Sequence, residues 1–142
     1  MKVIQQPLGP VQANCYLVME NHHALIIDPA DILPNLDEIL NQNDCTLDAI
    51  VLTHAHFDHI SGVDKIVNKF GCDVYLNPNE FDFLLDPNLN SSSAFYMDVT
   101  CNANAKPLIE GKNEIAGFEV EAIYCPGHSI GSTVLKIEDC LF

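Results

Sequence analysis

The stretch Ala49–Asp64, AIVLTHAHFDHISGVD, decides how this chain is read. It opens inside LDAIVLT, an apolar and partly β-branched run of the kind that forms a buried strand. Three histidines and one aspartate then fall within six positions: His54, His56, Asp58 and His59, from a total of six histidines. Residues two apart in an extended segment point to the same side, so His54 and His56 can converge on one point. Asp58 and His59 follow as the chain turns into a helix, where they can face a second point nearby. A lone histidine after a strand is ordinarily a surface residue, whereas four candidate donors in six positions form a ligand set. Neutral imidazoles and a carboxylate are what zinc, manganese or iron accept.

Working outward, SGVDKIVNKFG places Val63, Ile66, Val67 and Phe70 on one helical face. Ser61 with Asp64 predicts a capping box, and Gly71 a C-terminal cap. Upstream, NCYLVM and ALIIDP predict two strands joined by a turn at ENHH, and ILPNLDEILNQN a helix with Leu33, Leu36 and Leu40 on one face, Ile39 adjoining it. Downstream, CDVYLN predicts a strand and NEFDFLLD a short helix stopped by Pro87. The polar stretch PNLNSSSAFYMDVTCNANAKP predicts a long loop. FEVEAIYCPGH alternates apolar and acidic residues and then breaks at Pro126-Gly127, and STVLKIED is a further strand. Helices interleaved with strands make this an α/β layered domain.

The turn after FEVEAIY presents His128, a natural further ligand. His54, His56 and His128 would leave a fourth position open, which is a catalytic rather than a structural arrangement. A water in that position drops its pKa from ~15.7 to about 7, or about 12 kcal/mol in favour of hydroxide. A histidine–carboxylate pair acting as a general base supplies far less. His22 and His23, in the expected hairpin turn, read as solvated. Cys125 lacks the context of a thiol nucleophile, and Ser129 and Ser132 read as turn and cap residues.

Composition narrows the partners. The chain's 142 residues suit one domain, and 20 acidic residues against 6 lysines, with no arginine, give a formal charge of −14. Such a field repels phosphate backbones, so nucleic acid is excluded as a partner and a small-molecule substrate is expected. No run approaches the ~18 apolar residues of a membrane span, and the N-terminus lacks the apolar core of a signal peptide. A cytoplasmic protein is expected, its six scattered cysteines free.

THAHFDH together with PGHSIGS resembles the metallo-β-lactamase superfamily, in particular its hydroxyacylglutathione hydrolase (glyoxalase II-like) branch. QANCYLV, ALIIDPA, AIVLTHAHFDHISGVD and FEVEAIYCPGHSIGS occur in family order from the N-terminus to the last residue. The resemblance implies a four-layer αβ/βα sandwich, with residues 1–142 as a partial domain whose second half is incomplete. It implies that His54, His56 and His128 hold a first metal, and Asp58 and His59 a second. One or two zinc ions are expected, with iron or manganese as alternatives. The implied activity is hydrolysis of a thioester or related acyl substrate by a metal-held hydroxide, with Asp58 orienting the nucleophile and Asp28 of IIDPA in a supporting role. Family members continue past the equivalent of Phe142 with a bridging aspartate and a later histidine, neither found here; Asp139 precedes the bridging position. An uncovered apolar face on the first sheet is therefore expected, with self-association through it. Two alternatives stay open: an iron persulfide dioxygenase and a non-catalytic metal-binding fragment.

Overall fold

The computed structural model describes all residues 1–142. The central element is the LDAIVLT strand, Thr46–Val51, flanked in parallel by His23–Ile27 and Asp73–Leu76. In chain order the strands of the first sheet are β1 (Lys2–Leu8), β2 (Ala13–Glu20), β3 (His23–Ile27), β4 (Thr46–Val51), β5 (Asp73–Leu76) and β6 (Ala105–Pro107), and they lie side by side in that order. The first two pairings are antiparallel and the remaining three parallel. Helices α1 (Leu36–Gln42), α2 (Phe57–Ile60) and α3 (Val63–Phe70) connect the parallel strands. A second, wholly antiparallel sheet contains β7 (Gly111–Ile115), β8 (Phe118–Tyr124), β9 (Thr133–Ile137) and β10 (Cys140–Leu141).

Strand periodicity divides the apolar residues between two cores. Leu17, Ala24, Ile26, Ile50 and Val74 face the helices, meeting Leu33, Leu36, Leu40, Val63 and Ile66. Their neighbours Val18, Leu25, Ile27, Ala49 and Val51 point the other way, against Ile115, Phe118, Val120, Leu135 and Ile137 of the second sheet. Apolar side chains on both faces are what a central parallel strand requires. This corrects the expectation of an uncovered first sheet: its second face is buried within the chain, and the surface on which self-association was expected is occupied. The two sheets with one helical layer match the expected α/β sandwich, the alternation of FEVEAIY placing Glu119 and Glu121 outward.

Other details depart from the sequence. The capping box does not form: Gly62 occupies the cap position of α3, and the Ser61 hydroxyl donates back to the Phe57 carbonyl at 2.5 Å. Asp64 turns away to bind the loop before β6. Gly62 is required here by close approach, since a Cβ would lie 2.7 Å from the Pro29 carbonyl oxygen and the Asp31 backbone. The short helix expected at NEFDFLLD is present but tighter than an α-helix, a 3-10 helix over Pro78–Leu84. The long polar segment is organised by Asn90, fully buried, which donates to the Phe83 and Val99 carbonyls and accepts from the Ser92 amide. It also contains a 3-10 turn, Ser92–Phe95, and ends in β6. No helix is long and apolar enough to cross a membrane.

Candidate metal centre

His54, His56 and His128 meet at the end of β4, and their ligand nitrogens all lie within 4.8 Å of one another. His128 Nε2 is 3.0 Å from His56 Nδ1 and 3.1 Å from His54 Nε2. Two of the rings come from one extended segment, as the i, i+2 spacing predicted, and the third from the Cys125–Ser132 loop between β8 and β9. That loop is closed by the Cys125 amide donating to the Ser132 carbonyl, and tied to the first sheet by the Thr133 amide donating to the Thr53 carbonyl.

The donor set fits a cation. Nitrogens bound at ~2.0–2.1 Å around a tetrahedral centre lie about 3.3–3.4 Å apart, close to the separations observed. Three imidazoles aimed at one point cannot all be satisfied by each other, because a neutral ring offers one N–H and one lone pair. The tautomer of His54 is fixed from behind. The Thr53 hydroxyl donates to Asp28 Oδ2 at 2.6 Å, so its oxygen accepts from His54 Nδ1 at 3.1 Å. The lone pair of His54 is thereby left on Nε2, facing the other rings. Asp28 is 4% exposed and also accepts the Thr53 amide at 2.8 Å, which is the supporting role expected of it. Burial, with the nearby His59, pushes the His54 pKa down to about 3, and burial with His128 lowers that of His56. Both rings are neutral at physiological pH, the form that ligates a metal.

Asp58 and His59 lie beside this cluster rather than in it. The His59 ring centroid is 4.1 Å from that of His54, and its Nε2 is 3.4 Å from Asp58 Oδ2. Its Nδ1 approaches Asp28 Oδ2 at 3.0 Å without hydrogen-bond alignment, leaving a buried nitrogen unpartnered. Burial opposes protonation of His59, but the Asp28 and Asp58 carboxylates outweigh it and raise its pKa to about 10. Asp58 is itself held below the usual carboxylate range, burial being outweighed by the bond from His59. In front of the ligands a cleft of about 370 Å³ is lined by Val11, Phe57, Phe95, Ser91, His56, Asp58 and His128.

The other sequence candidates fall outside the cluster. His22 and His23 sit on the surface against Asp44 and Asp48, and Cys125 is exposed. Ser132 is a turn residue whose hydroxyl accepts the Ser129 amide at 3.0 Å. Ser129, read as a turn residue, does more. It is buried, and its hydroxyl donates to Glu80. Glu80, within the 3-10 turn, was not singled out by sequence. It is 0% exposed and accepts from the Ala55 amide at 2.6 Å and the Gly131 amide at 2.7 Å. Asn77 adds a bond to the Gly131 carbonyl at 3.1 Å. The contacts of this turn lie 25 to 54 residues away along the chain, beyond the reach of any local pattern.

Known proteins are similar to this chain in sequence and fold. Residues 8–140 match the model of the metallo-beta-lactamase superfamily. The chain is 39% identical over 142 residues to the probable metallo-hydrolase YqgX of Bacillus subtilis, covering 98% of this chain and 67% of that protein. Among solved structures, BLEG-1 B3 metallo-beta-lactamase superposes with a TM-score of 0.87 at 37% identity, covering 96% of this chain and 68% of the other. TTHA1623 in a di-iron-bound form gives a TM-score of 0.77 at 31% identity, covering 94% and 66%. This chain thus spans about two thirds of the length of these proteins. With the motif order, the two-sheet fold and the three converging imidazoles agreeing with that match, the chain belongs to the metallo-β-lactamase superfamily.

Proposed function

We propose that this chain carries the cation site of a metal-dependent hydrolase acting on a thioester or related acyl substrate, with His54, His56 and His128 as the ligands. The observation that carries the reading is the convergence of three imidazole nitrogens, with separations of 3.0 and 3.1 Å, beside an open cleft. A divalent cation held there acts as a Lewis acid, acidifying water and polarising the acyl carbonyl. Zinc is the expected ion. The di-iron form of TTHA1623 supports iron as the alternative.

The remaining steps belong to the protein's own groups. Thr53 and Asp28 hold His54 with its lone pair inward, so no ring rotation is needed when a cation enters. Asp58, deprotonated at neutral pH, lines the cleft and can orient a water and accept its proton. His59 lies between Asp28 and Asp58, and with a ring proton given up its nitrogen and the neighbouring Asp58 are the candidate donors of a second cation. Val11, Phe57 and Phe95 give the cleft an apolar wall against which an acyl group can rest.

The thioester reading is supported by the motif order of the hydroxyacylglutathione hydrolase branch. A β-lactam amide is a second reading, favoured by the 37% identity to BLEG-1. His54→Ala and His128→Ala are each expected to abolish bound metal and acyl hydrolysis together. Metal analysis alongside turnover of a thioester and a β-lactam checks this. Full metal stoichiometry in both variants would refute the ligand assignment, and turnover of the β-lactam alone would replace the substrate.

A further inference from the structure

We infer that Glu80 is the positioning residue of the metal centre: one buried carboxylate fixes both ligand-bearing segments and supplies the negative charge that the cation balances. The inference rests on the cation-binding part of the proposal above, not on hydrolysis.

Three observations converge. First, Glu80 bonds the residue between two of the ligands and two residues that follow the third. Its Oε2 accepts the amide of Ala55, which separates His54 from His56. Its Oε1 accepts the Ser129 hydroxyl and the Gly131 amide, immediately after His128. The two segments are more than 70 residues apart in sequence, and this one side chain bridges them, beside the backbone bond from Thr133 to Thr53. Second, the approach is built in. A Cβ on Gly131 would stand 2.7 Å from Glu80 Cγ and 3.1 Å from Asn77 Cγ, so the loop can reach the carboxylate only because position 131 has no side chain. Third, Glu80 is fully buried and none of its three partners is a cation. Neutral donors stabilise a buried carboxylate only in part. It sits against the backbone between His54 and His56, so a divalent ion among the three imidazoles is its natural counter-charge.

A purely structural clamp would hold the loop without influencing the cation, and the test separates the two. Wild type, Glu80→Gln, Ser129→Ala and Asp64→Asn are titrated with Co(II) against a chromophoric chelator, and the visible Co(II) bands are recorded. Glu80→Gln keeps the side-chain shape and removes the charge. It is expected to weaken Co(II) binding about 10–100-fold and to shift the bands, as loss of groups behind metal ligands does. Ser129→Ala, which removes one donor, is expected to do so several-fold. Asp64→Asn weakens hydrogen bonds to Cys101, Asn102 and Ala103, which involve neither ligand-bearing segment, and is expected to leave affinity and bands unchanged. Wild-type affinity and spectrum in both Glu80→Gln and Ser129→Ala overturn the inference, and Ser129→Ala decides alone if Glu80→Gln does not fold. An equal loss in Asp64→Asn overturns it as well, since the effect would then be general destabilisation. Failure of the wild-type chain to bind Co(II) overturns both this inference and the triad.

Discussion

Two carboxylates in this molecule perform the same local task with different consequences. Asp64, in the first turn of α3, accepts the Asn102 and Ala103 amides at 2.9 and 3.0 Å, the Asn102 side chain at 3.1 Å and the Cys101 thiol at 3.4 Å. Glu80 accepts two amides and a hydroxyl. Each pins a distant loop to a helical turn. The Asp64 loop leads only into the edge strand β6, whereas the Glu80 contacts hold the segments that carry His54, His56 and His128. The hydrogen bonds are alike. What makes one of them functional is the identity of the neighbours it fixes, and burial sharpens the contrast: Glu80 is sealed from water, while Asp64 stays partly solvated.

The largest expected effect comes from deleting the buried member. Glu80→Ala leaves the Ala55 and Gly131 amides and the Ser129 hydroxyl without partners, at a cost of about 3–5 kcal/mol. Chemical denaturation of the metal-free chain checks this, and a loss below about 1 kcal/mol would place the two carboxylates on an equal footing. Next, Gly131→Ala forces a methyl group against Glu80 and should cost about 1–3 kcal/mol, with weaker metal binding. Gly127→Ala, in the same loop but with nothing within 4 Å of the added carbon, should change neither stability nor metal binding. Equal behaviour of the two glycine variants, measured by thermal melting and metal titration, would break the argument from close approach.

Of the variants expected to lose stability, Asp64→Asn loses least, about 1 kcal/mol, and its pH dependence identifies its source. Burial would raise the Asp64 pKa, but the bonds from Asn102, Cys101 and Ala103 outweigh it and hold the value below normal. A carboxylate with a lowered folded pKa stabilises the native state above its ordinary value of about 3.9 and loses that contribution as pH falls through the lower folded value. The stability gap between wild type and Asp64→Asn should therefore be full at pH 6 and close as the solution is acidified below about pH 4. Urea midpoints across that range check the sign. A gap that widens on acidification would contradict it.

Asp64 also shows where sequence reading stops. Its spacing from Ser61 matches a capping box, a pattern set by residues three apart, yet its partners lie 37 to 39 positions downstream. The central strands were legible because both of their faces are apolar, and β8 because its alternation is strong. Strand β1 was not, since VIQQP is largely exposed and its edge position is set by pairing with β2. Strand β7, with Lys112 and Glu114 facing outward, exists because β8 offers it hydrogen-bonding partners. The polar run after Pro87 read as loop because no periodicity announces the Asn90 bonds that organise it.

By itself the sequence determined the chemistry: imidazoles two apart on an extended segment, a third after a glycine turn, and an apolar pattern that marks the central strands. Those features are local, because side-chain direction and hydrophobic period are properties of neighbouring residues. The tertiary structure alone decided that the first sheet is covered on both faces, that Thr53 and Asp28 orient His54, and that Glu80 ties His128 to the other two ligands. These are contacts between residues tens of positions apart, set by how the sheets pack, and no local pattern encodes them.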